Sequence, residues 1–304
     1  MNIKLDKDYH ILQHLRMPNN GVALTLINLL MRLSVVFVKT IKGVKKQKQK
    51  IPMRDHHPIQ TTLYQPKAGC LNPNIILYFP GGSFIMPGTS IHHRYTQRLA
   101  LRLQCQVILI DYRLAPKHVF PTAHQDALDA TLYFKNRYPH SKIILMGDSA
   151  GGNIVASVCH VLRKRNGKQV DGQMLFYPGV ATLYGTNARH QFSHAPMFSS
   201  RNLDRVYKLY FNEAETTDAI AAPLDDKDFS SLPPTYIETA EYDPLTEDGL
   251  LYHQKLMKFK VDSTLIETKG TPHGYDGIPK AKTTQYCHQQ RILWLEKQGF
   301  TKKT

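Results

Sequence analysis

The sequence predicts an α/β fold, a mostly parallel sheet with helices on both faces. Three observations carry that prediction. Short apolar runs at 74–79 (NIILYF), 106–111 (QVILID) and 142–146 (KIILM) lack the alternation of a half-exposed strand, so both of their faces are expected to be buried. Helix-period segments separate most such runs, as crossovers between parallel strands require. Of 304 residues, 42% are hydrophobic and 21% charged, which is enough to build a sizeable core and argues against a disordered chain.

The N-terminal fifty residues stand apart. The chain holds 39 Lys and Arg against 24 Asp and Glu, a net charge of +15, and residues 1–54 contain eleven of those cations and two of the acids. Lys39, Lys42, Lys45, Lys46, Lys48 and Lys50 cluster without interleaved aromatic residues, which speaks for an appendage and against a nucleic-acid-binding surface. Just before them, residues 22–38 (VALTLINLLMRLSVVFV) form a 17-residue apolar run with Arg32 as its one charge. A membrane span takes roughly 17–25 residues, and an arginine at the bilayer centre costs about 2.5–3.5 kcal/mol. The run is therefore expected to be a helix that buries its apolar side on the main domain and leaves Arg32 at the solvent edge. A monotopic membrane helix followed by a polybasic segment is the alternative. A secretory signal fits less well, because the run begins far from residue 1 and no small-residue cleavage site follows it. The lysines at 39–50 are expected to be a solvated connector.

Residues 51–304 read as one domain. Strands are expected at 59–64, 74–79, 106–111, 142–146, 174–177, 235–238 and 263–267, and helices near 90–103, 122–137, 150–165, 246–259 and 281–298. Between 180 and 232 the alternation stops and the chain is polar, with a helix expected near 201–212, so this stretch is expected to be an insertion. Four cysteines without a CxxC pair argue against a disulfide framework or a cysteine-based zinc site and favour a reducing compartment.

Ligand and catalytic sites of open α/β sheets lie beyond the carboxyl ends of the strands, so the residues after each strand carry the functional argument. After 142–146 comes Gly147-Asp148-Ser149-Ala150-Gly151-Gly152 and then a helical run. This is G-x-S-x-G in the strand–turn–helix setting that exposes a nucleophilic serine on a strained turn. Its partners are expected in the order Ser, acid, His. His253 and His288 fall in helical patterns, whereas His273 lies in a turn, Thr271-Pro272-His273-Gly274, just past strand 263–267. Asp243 follows strand 235–238 and is held extended by Pro244. Glu247 and Asp248 are its rivals, and both suit the first turn of the next helix. Oxyanion donors are expected from the N–H of Ala150 and from the loop after strand 74–79, at Gly81, Gly82 or Ser83.

These motifs, in this order, resemble the hormone-sensitive-lipase-like branch of the α/β-hydrolases, the bacterial family IV esterases. The resemblance runs from about residue 51 to the C-terminus. Residues 80–84 (PGGSF) are similar to that family's HGGGF loop, and Asp111-Tyr112-Arg113-Leu114-Ala115-Pro116 with Phe120-Pro121 to its DYRLAPE and FP run. GDSAGG at 147–152, Asp243-Pro244-Leu245 and His273-Gly274 are similar to its nucleophile, acid and histidine motifs. The resemblance implies an α/β-hydrolase fold with an eight-stranded, mostly parallel sheet and a helical cap to which residues 1–45 contribute. It also implies a Ser149–Asp243–His273 triad, hydrolysis of short- to medium-chain esters and no cofactor. Pro80 stands where the family has His, Ser83 where it has a third Gly, and Lys117 where it has Glu. The first two bear on substrate range and rate.

The expected function is thus a serine carboxylic-ester hydrolase acting on a small-molecule ester. Two alternatives use the same residues: a ligand-binding protein of this fold that has lost turnover, and an acyltransferase. No metal or nucleotide motif is present, and the adjacent histidines at 56–57 and 92–93 do not share a face on a strand or a helix. The expected location is the cytoplasm, with peripheral membrane contact through residues 22–50 and a homodimer as open possibilities.

Overall fold

The computed structural model describes residues 3–17, 21–165, 167–181, 185–211 and 220–301. Eight strands, Val44–Ile51 (β1), Ile59–Pro66 (β2), Ile75–Phe79 (β3), Gln106–Asp111 (β4), Ile143–Asp148 (β5), Gly172–Phe176 (β6), Thr235–Thr239 (β7) and Ser263–Glu267 (β8), form one sheet in the order β1-β2-β4-β3-β5-β6-β7-β8. From β4 to β8 every pairing is parallel, while β1–β2 and β2–β4 are antiparallel. The helices are Gly21–Val36 (α1), Ser90–Leu103 (α2), Thr122–Arg137 (α3), Ala150–Lys164 (α4), Ala188–Gln191 (α5), Ser200–Val206 (α6), Thr246–Lys258 (α7) and Lys282–Lys297 (α8).

The central strands are apolar because both of their faces are covered. Every residue of β3, β5, β6 and β7 is buried. On one face Ile75, Leu77 and Leu145 meet Ala127 and Phe134 of α3, Ile154 and Val158 of α4 and Leu256 of α7. On the other, Ile76, Ile144 and Met174 meet Leu99 and Leu103 of α2 and Trp294 and Leu295 of α8. At roughly 1.5–3 kcal/mol per buried large side chain, this two-sided core is the main source of stability.

Two N-terminal expectations need correction. The basic stretch expected to be a connector is the edge strand β1, whose Val44 and Ile51 are buried at its two ends and whose backbone pairs with β2 from Val44↔Pro66 to Ile51↔Ile59. Lysines do not disqualify an edge strand, since charged side chains there discourage pairing with another chain. Helix α1 does not bury its apolar side as a whole. Leu24 is buried against the core and Ile27 and Met31 face a cavity, but Val22, Leu26, Leu29, Leu30, Leu33 and Val36 are exposed. Before α1, a 3₁₀ turn at Lys7–Leu12 buries Tyr9 and Leu12 among the α2 and α8 residues.

The stretch between β6 and β7 carries α5, α6 and a 3₁₀ turn at Pro223–Asp225. The helix expected near 201–212 is α6 continued by a π-helical turn, Tyr207–Phe211, and residue 212 lies outside the described residues. Tyr210 stacks on Phe84 with ring centroids 4.2 Å apart, so this insertion lies against the loop that follows β3.

Candidate active site

The carboxyl ends of β3, β5, β7 and β8 lie along one edge of the sheet, and each feeds a loop into the same place. After β5, Ser149 takes φ 54° and ψ −119°, a backbone state that an L-residue adopts only under constraint. Two glycines permit the turn. A Cβ on Gly147 would run into the carbonyl of Gly151, and one on Gly151 into the carbonyl of Phe79. The hydroxyl of Ser149 lies 2.9 Å from Nε2 of His273, and Nδ1 of His273 lies 2.6 Å from Oδ2 of Asp243.

Asp243 is fully buried, and its other oxygen accepts the N–H of Leu245 at 2.9 Å. Its loop is fastened to the His273 loop, because the N–H of Tyr242 donates to the carbonyl of Thr271 and the N–H of Gly270 to Glu241. The His273 ring lies between Tyr177, edge-on at 4.9 Å, and Phe198 of the insertion at 4.8 Å. These contacts leave the imidazole one orientation, with one nitrogen on the acid and the other on the serine.

Other candidates lie elsewhere. His253 bonds Ser263 and His288 stacks on Tyr95. Glu247 and Asp248 both sit in the first turn of α7, as expected. Asp248 has a second role there. It is fully buried, forms an ion pair with Arg189 and accepts the N–H of Ala181. It therefore ties the insertion to α7.

The loop after β3 separates its own donors. The N–H of Gly81 is committed to Oδ1 of Asp148 at 2.9 Å, which removes Gly81 from the expected oxyanion set. Among the described residues no acceptor takes the N–H of Gly82, Ser83 or Ala150. Ser83 and Phe84 both have positive φ, 55° and 59°, and Gly82 has φ 137°. Pro80 keeps its place without a histidine side chain, because the hydroxyl of Tyr112 donates to its carbonyl at 2.6 Å.

Asp148 is an anchor that the sequence reasoning passed over. Tyr78 donates to its Oδ1 at 2.9 Å, and Nε2 of His92 lies 3.3 Å from its Oδ2. Burial alone would push the His92 imidazole down, but the Asp148 carboxylate more than offsets it and holds the imidazole above its ordinary value. Burial likewise works against the Asp148 charge, and His92 with the Gly81 and Tyr78 hydrogen bonds holds the carboxyl below its ordinary value. Both directions favour an ion pair beneath the loop. The only sequence signal was His92 in a dipeptide that looked accidental.

A second buried pair braces the His273 loop from behind. Arg291 donates to Glu238 at 2.8 and 2.6 Å and to Asp276 at 2.9 Å, and its guanidinium lies 3.6 Å from the centre of the Phe176 ring. Tyr236 and Tyr275 also donate to Glu238.

Ser149 opens on two cavities. One, of about 30 Å³, is walled by Phe198, Leu203, Val206 and Phe211. The other, of about 330 Å³, is walled by Leu15, Met17, Ile27, Met31 and Met86, with Ser149 and His273 at its floor. An apolar hollow on each side of an activated hydroxyl suits a substrate with two apolar arms about an electrophilic carbon.

Residues 76–276, which include Ser149, Asp243 and His273, match a family described as alpha/beta hydrolase fold. Esterase LipI of Mycobacterium tuberculosis is 30% identical over 230 residues, covering 72% of each chain. A putative alpha/beta hydrolase of Acanthamoeba polyphaga mimivirus is 27% identical over 71% of this chain and 65% of its own length. The solved structure of an esterase from Pyrobaculum calidifontis superposes with a TM-score of 0.86 at 28% identity, covering 98% of this chain and 100% of that one.

Proposed function

This chain belongs to the alpha/beta hydrolase fold family, and on that footing we propose that it is a serine carboxylic-ester hydrolase acting on short- to medium-chain acyl esters through an acyl-enzyme. The observation that carries the proposal is the continuous contact from Ser149 Oγ to His273 to Asp243, at 2.9 and 2.6 Å, on the floor of an apolar cavity. Ser149 attacks the ester carbonyl while His273 takes its proton at Nε2. Asp243 holds the imidazole in place and stabilises its charged form. The N–H groups of Gly82, Ser83 and Ala150 receive the oxyanion. The alcohol leaves with the proton from His273, and a water activated by His273 then frees the acid.

A cavity of about 30 Å³ has room for on the order of two or three heavy atoms, so one arm of the ester is expected to be short. With p-nitrophenyl esters, kcat/KM is expected to be highest for acyl chains of about two to four carbons and to fall at least about tenfold by twelve. Absence of turnover along the whole series would contradict the proposal. Helix α1 and the insertion near 180–232 form the cap over the site in this reading, and residues 22–50 meet a membrane surface peripherally on the cytoplasmic side. Among the described residues no helix is long and apolar enough to cross a membrane.

Two results are expected on these substrates. Asp243→Asn lowers kcat by on the order of 10³–10⁴-fold, because an amide no longer stabilises the charged imidazole. Asp248→Asn removes the buried carboxylate that pairs with Arg189 and acts on stability instead, by about 3–5 kcal/mol, with kcat within about tenfold. Parallel thermal melts and steady-state kinetics check this, and the reverse order would show that Asp248 is the acid.

A further inference from the structure

We infer that the outer face of α1 seats this wall of the active site on an anionic phospholipid bilayer, from which the enzyme draws esters dissolved in the membrane. The inference rests on the ester-hydrolase reading for its substrate and on the surface itself for its partner. Val22, Leu26, Leu29, Leu30, Leu33 and Val36 recur at helical spacing and, at about 100° per residue, share an arc of roughly 120°. They are exposed, Val22 by 83% and Leu30 by 55%, and Phe37, just past the helix, by 78%. An isolated exposed leucine needs no explanation, but a contiguous stripe of this length does.

The charge beside the stripe indicates what covers it. Residues 22–50 hold Arg32 and six lysines and no acid at all. Because 44–51 is a strand and not a loose connector, Lys46, Lys48 and Lys50 are held on one face of β1, and Lys48 lines the same surface hollow as Asn28, Arg32 and Val35 of α1, where the cations outnumber the one carboxylate they face, Asp111. An apolar helix face bordered by fixed cations fits the interface of a bilayer carrying anionic headgroups. A second copy of the chain fits less well, since a two-fold contact through this face would bring the same cations against each other. The opposite side of α1 lines the cavity above Ser149 with Ile27 and Met31, and half-exposed Leu15 lines the same cavity. Docking on the outer face would therefore leave only the thickness of α1 between the lipid surface and the cavity.

The test is flotation of the full-length protein with vesicles of phosphatidylcholine alone or mixed with phosphatidylglycerol. The expected result is at least about tenfold more protein on the phosphatidylglycerol vesicles, reduced several-fold by about 0.5 M salt. Leu26→Glu with Leu30→Glu should lose that binding and lose turnover of a vesicle-dissolved ester, yet hydrolyse p-nitrophenyl butyrate in solution within about twofold of the unaltered protein. Ser149→Ala should float like the unaltered protein, so a failure of the hydrolase reading would not be mistaken for a failure of docking. No flotation with phosphatidylglycerol, or unchanged flotation of the double variant, would overturn the inference. So would a dimer that the double variant dissociates while neither form binds vesicles, which would assign the stripe to a second copy.

Discussion

Ser149→Ala is expected to lower kcat/KM for a short-chain ester by on the order of 10⁴-fold or more and to shift the unfolding midpoint by less than about 2 °C. The substitution removes one oxygen, whose partner is His273 at 2.9 Å, and leaves the backbone turn, the glycines and the neighbouring packing unchanged. The residue is nearly buried, so no large apolar surface is gained or lost. His273→Ala should cost a similar factor, because serine and histidine act as one unit and removing either stops the same step. Substantial activity in Ser149→Ala would remove the serine from the mechanism.

Arg291→Leu is expected to have the largest effect on stability. Glu238 and Arg291 are both fully buried, and the leucine would leave a carboxylate in the core with only two tyrosine hydroxyls as donors. Breaking a buried pair by removing one partner costs about 3–5 kcal/mol, against a total of roughly 5–15 for a folded domain. In a chain of this size that corresponds to a fall in midpoint on the order of 10 °C. Because Arg291 also holds Asp276 in the His273 loop, activity should fall before global unfolding. Glu238→Gln combined with Arg291→Met should lose less than Arg291→Leu alone, since the buried Glu238 is then neutral, and Asp276, which also loses Arg291, is partly exposed and keeps the Tyr177 hydroxyl. Thermal melts of the three proteins check this, and a midpoint within about 2 °C for Arg291→Leu would show that the pair is not structural.

The parts legible in the sequence are those in which one local pattern has one physical cause. β3, β4 and β5 announce themselves because burial on both faces demands unbroken apolar runs. The elbow announces itself because a strained serine needs glycine where other side chains would collide with the backbone. What stayed hidden depends on distant partners. Glu238 and Arg291 lie 53 residues apart and look like an ordinary strand residue and an ordinary helix residue. Asp148 and His92 are joined only once α2 packs over β2 and β4 and brings its first turn to the carboxyl end of β5, and that contact decides which loop N–H groups stay available. β1 was concealed because an edge strand needs few apolar side chains, and six of its eight residues are Lys or Gln. Helix α1 was legible as a helix, but its seating was not, because it is apolar on two opposite faces and its pattern could not show that only one meets the protein.

The most direct measurement of the central claim is reaction of the full-length protein with a fluorophosphonate, followed by mass mapping of the labelled peptide. The mechanism predicts about one label per chain, on Ser149, loss of esterase activity in proportion to labelling, and no label in Ser149→Ala. A protein that hydrolyses esters while Ser149 stays unlabelled, or that carries its label on another residue, would contradict it.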